Sequence, residues 1–513
     1  MFKGFTPHYK SCILFLFFIS FTLSAGARTT NDKEKKNAPK QTLRIELPRN
    51  SFDYAHSVFP LMDSTLLLIT KKRDVGVGKN EVLFTKYNHQ LKSVWESKAP
   101  QPNNTKLMFK AEERGRVYLL FSTSISDTKL ILYQIDKQSG SFSLTEHFLH
   151  SPYVTLRDMQ VLDRQVFLNA LDKGQLAMLH LNPKEPEVRI LPAVSGLARD
   201  LGEFRIDTLN KALELLITES QGIHARLQAK FMTAQGAPIN TMIIKPKEMP
   251  ITGQVLWPAK LTPGLTSQKL LLGTYGYKSD EFVQGLYSIN MKGEMNYYDF
   301  GKLSHFYEYK SSPAAALRMK ARALRNEAEG SAPIKQYRMV LHKVQPHPQG
   351  YALVGELFEP FVKSETQVEA SGFLLSSTTT TTKSTIMYKY QHAFACVFDF
   401  NGNLLWDNSY KLPDNKRFSY GPSVRTAITP EGNMIMTYLS KSEIFYKKLQ
   451  VNSTNSDRIP VQLPKETDKR VTSSQEDIQH WHGTNFIAYG FQRISSKKEA
   501  SRTVFYLQKV AFE

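Results

Sequence analysis

Cysteine is nearly absent from this 513-residue chain, which contains only Cys12 and Cys396. Cys12 lies in an N-terminal segment that we expect to be removed, so the mature chain would keep one thiol and could form no internal disulfide. Cys396 lies in the apolar stretch 393–398, where nothing in the local sequence would lower the pKa of its thiol. The sequence therefore excludes a disulfide-stabilised scaffold and predicts a buried, unreactive Cys396.

Long hydrophobic runs are also missing, since no later segment approaches the ~20 apolar residues that a transmembrane helix needs. The N-terminus carries basic residues, then the apolar run Ile13–Ile19, then the small residues Ala25-Gly26-Ala27. This order is typical of a cleaved export signal, and the short run argues against the alternative of a membrane anchor. We predict a signal peptide over residues 1–27, a polar linker over 28–40, and export to the periplasm or the cell surface.

Acidic residues are too few to balance the basic ones, because 66 Lys and Arg stand against 47 Asp and Glu. In a cytosolic protein this excess would suggest a nucleic-acid partner. In an exported chain it favours an acidic protein or glycan of the cell envelope, and we expect no nucleic acid. The alternative is a basic surface that is merely well solvated. The 41% content of hydrophobic residues excludes a disordered chain.

Catalytic and cofactor motifs are lacking as well. The chain has no Gly-x-Ser-x-Gly nucleophile motif and no Gly-Lys-Ser/Thr phosphate-binding loop. Gly76-Val77-Gly78 lacks the third glycine and the following helix of a dinucleotide site. These absences favour a protein without a cofactor.

What the chain does contain is a repeat. Short polar turns recur mostly at intervals of about 50 residues, and each precedes a strand-length run of Leu, Val, Ile, Phe and Tyr. A second hairpin follows in each unit, most clearly at Asn401-Gly402, a pair suited to a tight turn. Two hairpins per unit make the four-stranded blade of a β-propeller. The turns fall near Asp63, Gly115, Asp163, Asn210, Ser267, Gly350, Gly432 and Gly483.

Eight turns predict an all-β propeller of eight four-stranded blades, or seven if a divergent third or fourth unit is miscounted. We assign residues 41–513 to this single domain. The last unit is one strand short, and a spare strand, Gln41–Leu47, precedes the first unit. Since an unpaired strand edge promotes aggregation, we predict that Gln41–Leu47 pairs with the last blade and closes the ring.

Two insertions interrupt the repeat, at about residues 302–333 and 362–385. The first joins units five and six and predicts a helix. The second lies inside unit six and contains the run Thr378–Thr382, which we interpret as a low-complexity loop. Because propeller strands alternate in direction, the connections that carry the two insertions emerge on the same face. We expect the function of the protein on that face.

The predicted helix begins at the helix-start pair Ser312-Pro313 and ends at Gly330. Leu317 and Leu324 share one side of it and are expected to pack onto the propeller. The basic residues of another side form a candidate binding stripe for an acidic partner, with a solvated cover over the ring as the alternative. These residues are Arg318, Arg322 and Arg325.

Histidines provide the one metal-like signal, at His480 and His482. Residues i and i+2 of a strand share a face, so both imidazoles could reach one ion in the central channel. Comparable strands of other units carry His56, His342 and His347. Two histidines without a fixed third ligand are more commonly structural or surface residues, and that alternative stays open.

A recognisable stretch lies in unit six. Leu353-Val354-Gly355-Glu356 and the hairpin Phe398–Ser409 resemble exported, largely uncharacterised β-propeller-like envelope proteins of Gram-negative bacteria. The resemblance implies an envelope location and no particular activity. In physical terms, Trp406 predicts an apolar plug between blades, and Asp407 and Asn408 are expected to cap neighbouring backbone groups.

These features favour a non-catalytic binding or scaffold protein of the bacterial cell envelope, which recognises a protein or glycan through one propeller face. The alternative is a periplasmic enzyme, a hydrolase or a metal-dependent protein, with its site at the mouth of the central channel. No transmembrane segment is expected after the signal is cleaved, and no feature of the sequence selects an oligomeric state.

Overall fold

The structure is a computed structural model. It describes residues 38–49, 53–73, 80–101, 104–123, 127–192, 194, 201–221, 224–244, 254–277, 282–310, 312–331, 337–370, 378–451, 453, 456–463, 468–496 and 500–513. The predicted signal peptide, residues 1–27, lies outside these ranges, as does most of the predicted linker. Within the described ranges, no helix is long and apolar enough to cross a membrane.

The described chain forms eight antiparallel sheets, which are the blades of a propeller. In blades 1 to 7 the strands follow one another in chain order, and first strands of neighbouring blades contact one another around the central axis. The prediction of an all-β, eight-bladed propeller is confirmed. The first half of the chain begins with β1 (Lys40–Pro48), followed by blade 1 with β2 (Asp53–Pro60), β3 (Leu66–Arg73), β4 (Asn80–Tyr87) and β5 (Ser93–Gln101). Blade 2 contains β6 (Lys106–Glu113), β7 (Arg116–Ser122), β8 (Lys129–Asp136) and β9 (Phe142–Phe148), and blade 3 contains β10 (Val154–Leu162), β11 (Gln165–Asp172), β12 (Gln175–Leu181) and β13 (Arg189–Ile190). Blade 4 contains β14 (Leu201–Asp207), β15 (Ala212–Gln221), β16 (His224–Met232) and β17 (Pro238–Ile244).

The second half of the chain repeats the same topology with one irregularity in blade 6, where two short segments, β22 and β23, both pair with β24 as an interrupted first strand. Blade 5 contains β18 (Gln254–Leu261), β19 (Leu270–Tyr277), β20 (Gly285–Asn290) and β21 (Met295–Asp299), and the helix α1 (Pro313–Ala328) follows it. Blade 6 contains β22 (Arg338–Leu341), β23 (Gln345–His347), β24 (Gly350–Ala370), β25 (Thr378–Phe398) and β26 (Leu404–Arg417). Blade 7 contains β27 (Arg425–Ile428), β28 (Met434–Ser440), β29 (Glu443–Leu449) and β30 (Asp457–Pro460), and blade 8 contains β31 (Asp468–His482), β32 (Asn485–Ser496) and β33 (Arg502–Ala511).

The N-terminal strand closes the ring, as the sequence predicts. β1 pairs antiparallel with β33, with Leu43 opposite Lys509 and Leu47 opposite Phe505. The order in blade 8 is β1-β33-β32-β31, so strands from the two ends of the chain share one sheet. This pairing covers the edge of β33 that would otherwise be open.

Each sheet is buried on both faces, because it packs between two other sheets. In β3, Leu67 and Ile69 belong to the core between blades 1 and 2, whereas Leu66 and Leu68 belong to the core between blades 8 and 1. Alternate side chains of a strand point to opposite faces, so a strand buried on both sides is apolar at every position. This explains why the sequence shows continuous apolar runs in place of an apolar–polar alternation.

The two insertions differ in structure from each other. The first forms α1, as predicted, between β21 and β22. The second was expected to be a low-complexity loop, but Thr378–Thr382 belongs to β25, and its backbone pairs with β24 from Thr366 to Ala370. That expectation is wrong because β24 continues past the blade and supplies a partner strand, and threonine favours extended backbone.

Candidate interaction face

Both insertions lie on one end of the propeller, which we call the insertion face. α1 is part of the connection from the fourth strand of blade 5 to the first strand of blade 6. The hairpin β24–β25 joins the second and third strands of blade 6. In an antiparallel blade these two kinds of connection emerge at the same end, so α1 and the hairpin tip share the insertion face.

Asp407 in blade 6 fixes the segment that leads into α1. Its Oδ1 accepts a hydrogen bond from the backbone N–H of Ser304 and its Oδ2 accepts one from that of His305, each at 2.7 Å. The carboxylate also raises the pKa of the His305 imidazole, because it favours the protonated ring. The 3₁₀ helix Phe306–Tyr309 follows directly and buries three aromatic rings between blades 5 and 6.

The helix starts where the sequence indicates. Ser312 is its N-cap, since the backbone N–H of Ala315 donates to Ser312 Oγ at 3.2 Å, and Pro313 occupies the first turn. The last turn ends before Gly330, which has a φ of 59°.

The side of α1 that faces the propeller is not the one predicted. Ala316, Met319 and Ala323 pack against the core between blades 5 and 6, whereas Leu317 is 68% exposed and Leu324 is 38% exposed. Two adjacent stripes of the helix are apolar, and the sequence pattern alone favoured the one with the larger residues. The core beneath α1 is already filled by aromatic rings, so the small residues are the ones that allow close approach.

The outward surface of α1 therefore combines two kinds of side chain. Arg318, Arg322 and Arg325 are exposed, as the candidate stripe requires. Leu317 and Leu324 are exposed beside them. We call these five residues the α1 surface. Apolar and cationic side chains are thus exposed together on one inserted helix.

A second exposed apolar patch lies at the base of the β24–β25 hairpin. Val362 and Ile386 are directly opposite one another in the register, and 63% and 58% of their surfaces are exposed. Tyr420 and Phe418 are also exposed, and the ring of Tyr420 contacts that of Phe358 at a centroid distance of 5.3 Å. The insertion face thus carries apolar groups at two places.

Charged side chains of several blades act on one another and form a layer around the central axis. Many first strands have a register shift, for example between Leu156 and Asp158 in β10. The charges of Asp477 in blade 8 and Arg425 in blade 7 act on Lys110 in blade 2, which places these residues around the axis. The charges of Lys343, Lys260 and Glu203 act in the same way on Asp158 in blade 3.

Several cations of this layer hold neighbouring blades together. Lys110 Nζ donates to the carbonyl oxygen of Val58 at 2.6 Å, and Arg425 Nε donates to that of Ile478 at 3.0 Å. Lys260 Nζ donates likewise to the carbonyl oxygen of Gly202. The inner edge of a first strand has carbonyl groups without a strand partner, and these side chains satisfy them.

Burial shifts the ionisation of two groups in the layer. It lowers the pKa of the Lys110 ammonium to about 8 and raises the pKa of the Asp158 carboxyl, because burial disfavours the charged form of each group. Perturbed groups of this kind occur at active sites and also in structural networks. The carbonyl contact of Lys110 supports the structural role.

His480 and His482 lie at the opposite end of the propeller from α1, where β31 turns into β32. His480 Nε2 lies 2.8 Å from the carbonyl oxygen of Gly483. Among the described residues, no group of three or more His, Cys, Asp and Glu is placed to hold a metal ion. A metal site at these two histidines stays a prediction without a third ligand.

The histidines on the comparable segments of other blades contact groups inside the propeller. His56 Nδ1 lies 2.9 Å from Thr70 Oγ1, His342 Nε2 lies 2.6 Å from Glu356 Oε1, and His347 Nε2 lies 2.8 Å from the carbonyl oxygen of Gly432. The structure does not bring any of them together with the His480–His482 pair.

The predicted structural residues of blade 6 make contacts of the expected kind. Asn408 Nδ2 donates to the carbonyl oxygens of Gln450 at 2.6 Å and Ser453 at 3.0 Å. Trp406 packs against the core between blades 6 and 7, where its ring lies 6.1 Å from that of His347. The Asp407 contacts are described above, and a structural role for the three residues stays a prediction.

Sequence reasoning missed a buried ionic network between blades 4 and 5. Lys269 has no exposed surface, and its Nζ lies 2.9 Å from Asp207 Oδ2 and 2.7 Å from Glu214 Oε1. Arg205 also pairs with Glu214, at 2.6 Å. The available signal was Glu214 within the apolar run Leu213–Ile217, since a charge in a strand buried on both faces requires a partner.

No family model matches the chain, and no curated protein matches it. Among solved structures, the chain is similar to the polysaccharide lyase Uly1, with 11% identity over 79% of this chain and 90% of that chain and a TM-score of 0.37. It is also similar to the WD40 domain of SCAP from fission yeast, with 10% identity over 91% and 98% of the two chains and a TM-score of 0.41. A europium-containing methanol dehydrogenase gives 8% identity over 92% and 93% and a TM-score of 0.45. Similarities this distant assign no activity to the chain.

Proposed function

We propose that this protein is an exported, non-catalytic binding or scaffold protein of the bacterial cell envelope, which recognises an acidic partner through its insertion face. The observation that carries the proposal is the α1 surface, where three arginines and two leucines are exposed on one inserted helix. The N-terminal export pattern and the basic charge of the chain support the location and the acidity of the partner.

The exposed leucines favour a protein over a glycan as this partner. Leu317 and Leu324 would remain in water if the arginines bound only the charged groups of a polysaccharide. A protein partner can cover the leucines and pair its carboxylates with the arginines at the same time. The patch around Val362 and Ile386 offers further apolar surface at the base of the hairpin.

The proposal is tested by capture from envelope extracts with the mature chain as bait. Changing Arg318, Arg322 and Arg325 to Glu should abolish capture of the partner at unchanged melting temperature, and high salt should weaken the wild-type interaction. Charge reversal of three exposed lysines in blades 1 and 3 is the matched control and should leave capture intact. These control residues are Lys92, Lys98 and Lys184.

A second variant distinguishes the two chemical classes of partner. Changing Leu317 and Leu324 to Ser keeps every charge and removes only apolar contact area, so a protein partner should be lost and an anionic glycan retained. Capture that is indifferent to salt, to the arginine reversal and to the leucine changes would contradict the proposed role of the insertion face.

A further inference from the structure

A small cavity of about 60 Å³ lies between α1 and blade 5. Its walls include the aromatic rings of Phe300, Tyr307 and Tyr337, and α1 covers it with Met319 and Ala323. A cavity of this size has room for more than one water molecule and can admit a small organic group.

Two polar residues of this cavity, Asp299 and Gln284, are buried and carry acceptor oxygens. The rest of the lining also contains donor groups, on Arg322, Asn326, Ser331 and the two tyrosines. Asp299 is 5% exposed, and its two oxygens accept one hydrogen bond each, from the backbone N–H of Gly301 at 2.7 Å and from Gln284 Nε2 at 3.2 Å. Gln284 is 8% exposed, and its Oε1 has no hydrogen-bond partner among the described residues. A buried acceptor without a donor is costly, so the site favours an occupant that donates.

Charged groups of both signs lie around the site. Lys302, the nearest basic residue along the chain, pairs with Glu327 at 2.7 Å, and Glu327 itself lines the cavity. Arg322, which is exposed on α1, also contributes to the lining. The two hydrogen bonds that the Asp299 carboxylate accepts come from neutral donors, and the charge of Lys302 also acts on it. A cationic ligand in the cavity would pair with this carboxylate directly.

We propose that this cavity binds the ammonium group of a small organic amine. An ammonium donates to Gln284 Oε1 and to Asp299, balances the buried carboxylate, and is attracted to the faces of the surrounding aromatic rings. A neutral alcohol supplies one donor and no charge. The site lies under α1, and it shares Arg322 with the α1 surface.

The test uses the full mature chain and ethylammonium as the probe, with ethanol as the neutral analogue of similar size. Ethylammonium should raise the melting temperature in a saturable, millimolar range and give a measurable heat by titration calorimetry, whereas ethanol should do neither. Asp299→Asn should weaken ethylammonium binding at least tenfold. Lys292→Ala, at the exposed turn between β20 and β21, is the control and should bind as the wild type does.

A second variant keeps the test decisive if Asp299→Asn fails to fold. Met319→Phe narrows the cavity from the helix side and leaves both acceptors in place, so it should block ethylammonium without changing the fold. An equal response to ethanol and ethylammonium, unchanged binding in Met319→Phe, or a crystal structure soaked in ethylammonium that shows only water beside Gln284 would overturn the proposal.

Discussion

His392 is fully buried in the aromatic cluster between blades 5 and 6, beneath the insertion face. Its ring stacks on Tyr309 at a centroid distance of 4.5 Å, and neither ring nitrogen has a hydrogen-bond partner among the described residues. Burial lowers the pKa of this imidazole from 6.5 to about 3. The folded protein therefore holds a neutral histidine where the unfolded chain would bind a proton.

This difference predicts that acid destabilises the fold through His392. Between pH 6.5 and about pH 3 the unfolded chain is protonated at this ring and the folded chain is not, so this contribution lowers the free energy of unfolding by about 1.4 kcal/mol per pH unit. His392→Leu should remove this contribution to the pH dependence of the free energy of unfolding, which is measured by denaturant unfolding at pH 7.5 and pH 5. His89→Gln, at an exposed position, should keep this contribution. If the free energy of unfolding changed with pH equally in His392→Leu and in the wild type, the contribution could not come from His392.

Unlike His392, which is buried as a neutral group, Lys269 is buried as part of an ionic network. Asp207 has its pKa held below the usual range, although burial acts in the other direction, because backbone and side-chain donors that include Lys269 favour the ionised form. Burial raises the pKa of Glu214. A buried charge is tolerated here because each member has an opposite charge within 3 Å.

At the element scale, α1 depends on a close approach to blade 5. A Cβ added at Gly301 would lie 3.1 Å from the Cβ of Ala323 and 3.3 Å from the backbone nitrogen of Leu324. The glycine therefore lets the helix backbone approach the end of β21, and the small residues of α1 face this contact.

We predict that Gly301→Leu displaces α1 and leaves the ring of blades intact. Overpacking costs about 1–3 kcal/mol, so trypsin should cleave at the arginines of α1 about tenfold faster, while the far-ultraviolet circular dichroism of the propeller is retained. Ala321→Leu adds similar bulk on the exposed side of α1 and should not change the rate. Wild-type cleavage kinetics in Gly301→Leu would show that the contact does not hold the helix.

At the scale of the whole molecule, closure joins the two ends of the chain. β1 contributes Leu43, Ile45 and Leu47 to the core between blades 8 and 1. Without β1, those contacts are lost and the edge of β33 is open to other chains.

We predict that deletion of residues 41–47 lowers the melting temperature and causes association that increases with protein concentration. The loss of three partly buried apolar side chains is worth about 1 kcal/mol each. Differential scanning calorimetry and light scattering provide the measurements. Deletion of residues 28–37 is the control, and a truncated protein without 41–47 that stays monomeric and melts like the wild type would refute closure as a source of stability.

The sequence by itself determined the architecture, because turn spacing, apolar runs and a spare N-terminal strand are local patterns. Together they gave eight blades, the closure of the ring by Gln41–Leu47 and the start of α1 at Ser312-Pro313. Each of these depends on residues adjacent in the chain or on a repeat that the chain itself displays.

The tertiary structure decided which surfaces are free. Leu317 and Leu324 form as good an apolar stripe as Ala316, Met319 and Ala323, and only the aromatic cluster beneath α1 selects the smaller residues for burial. The cavity between α1 and blade 5 likewise requires groups that are separated along the chain. Contacts between distant residues depend on how the blades pack, and no local pattern in the sequence encodes them.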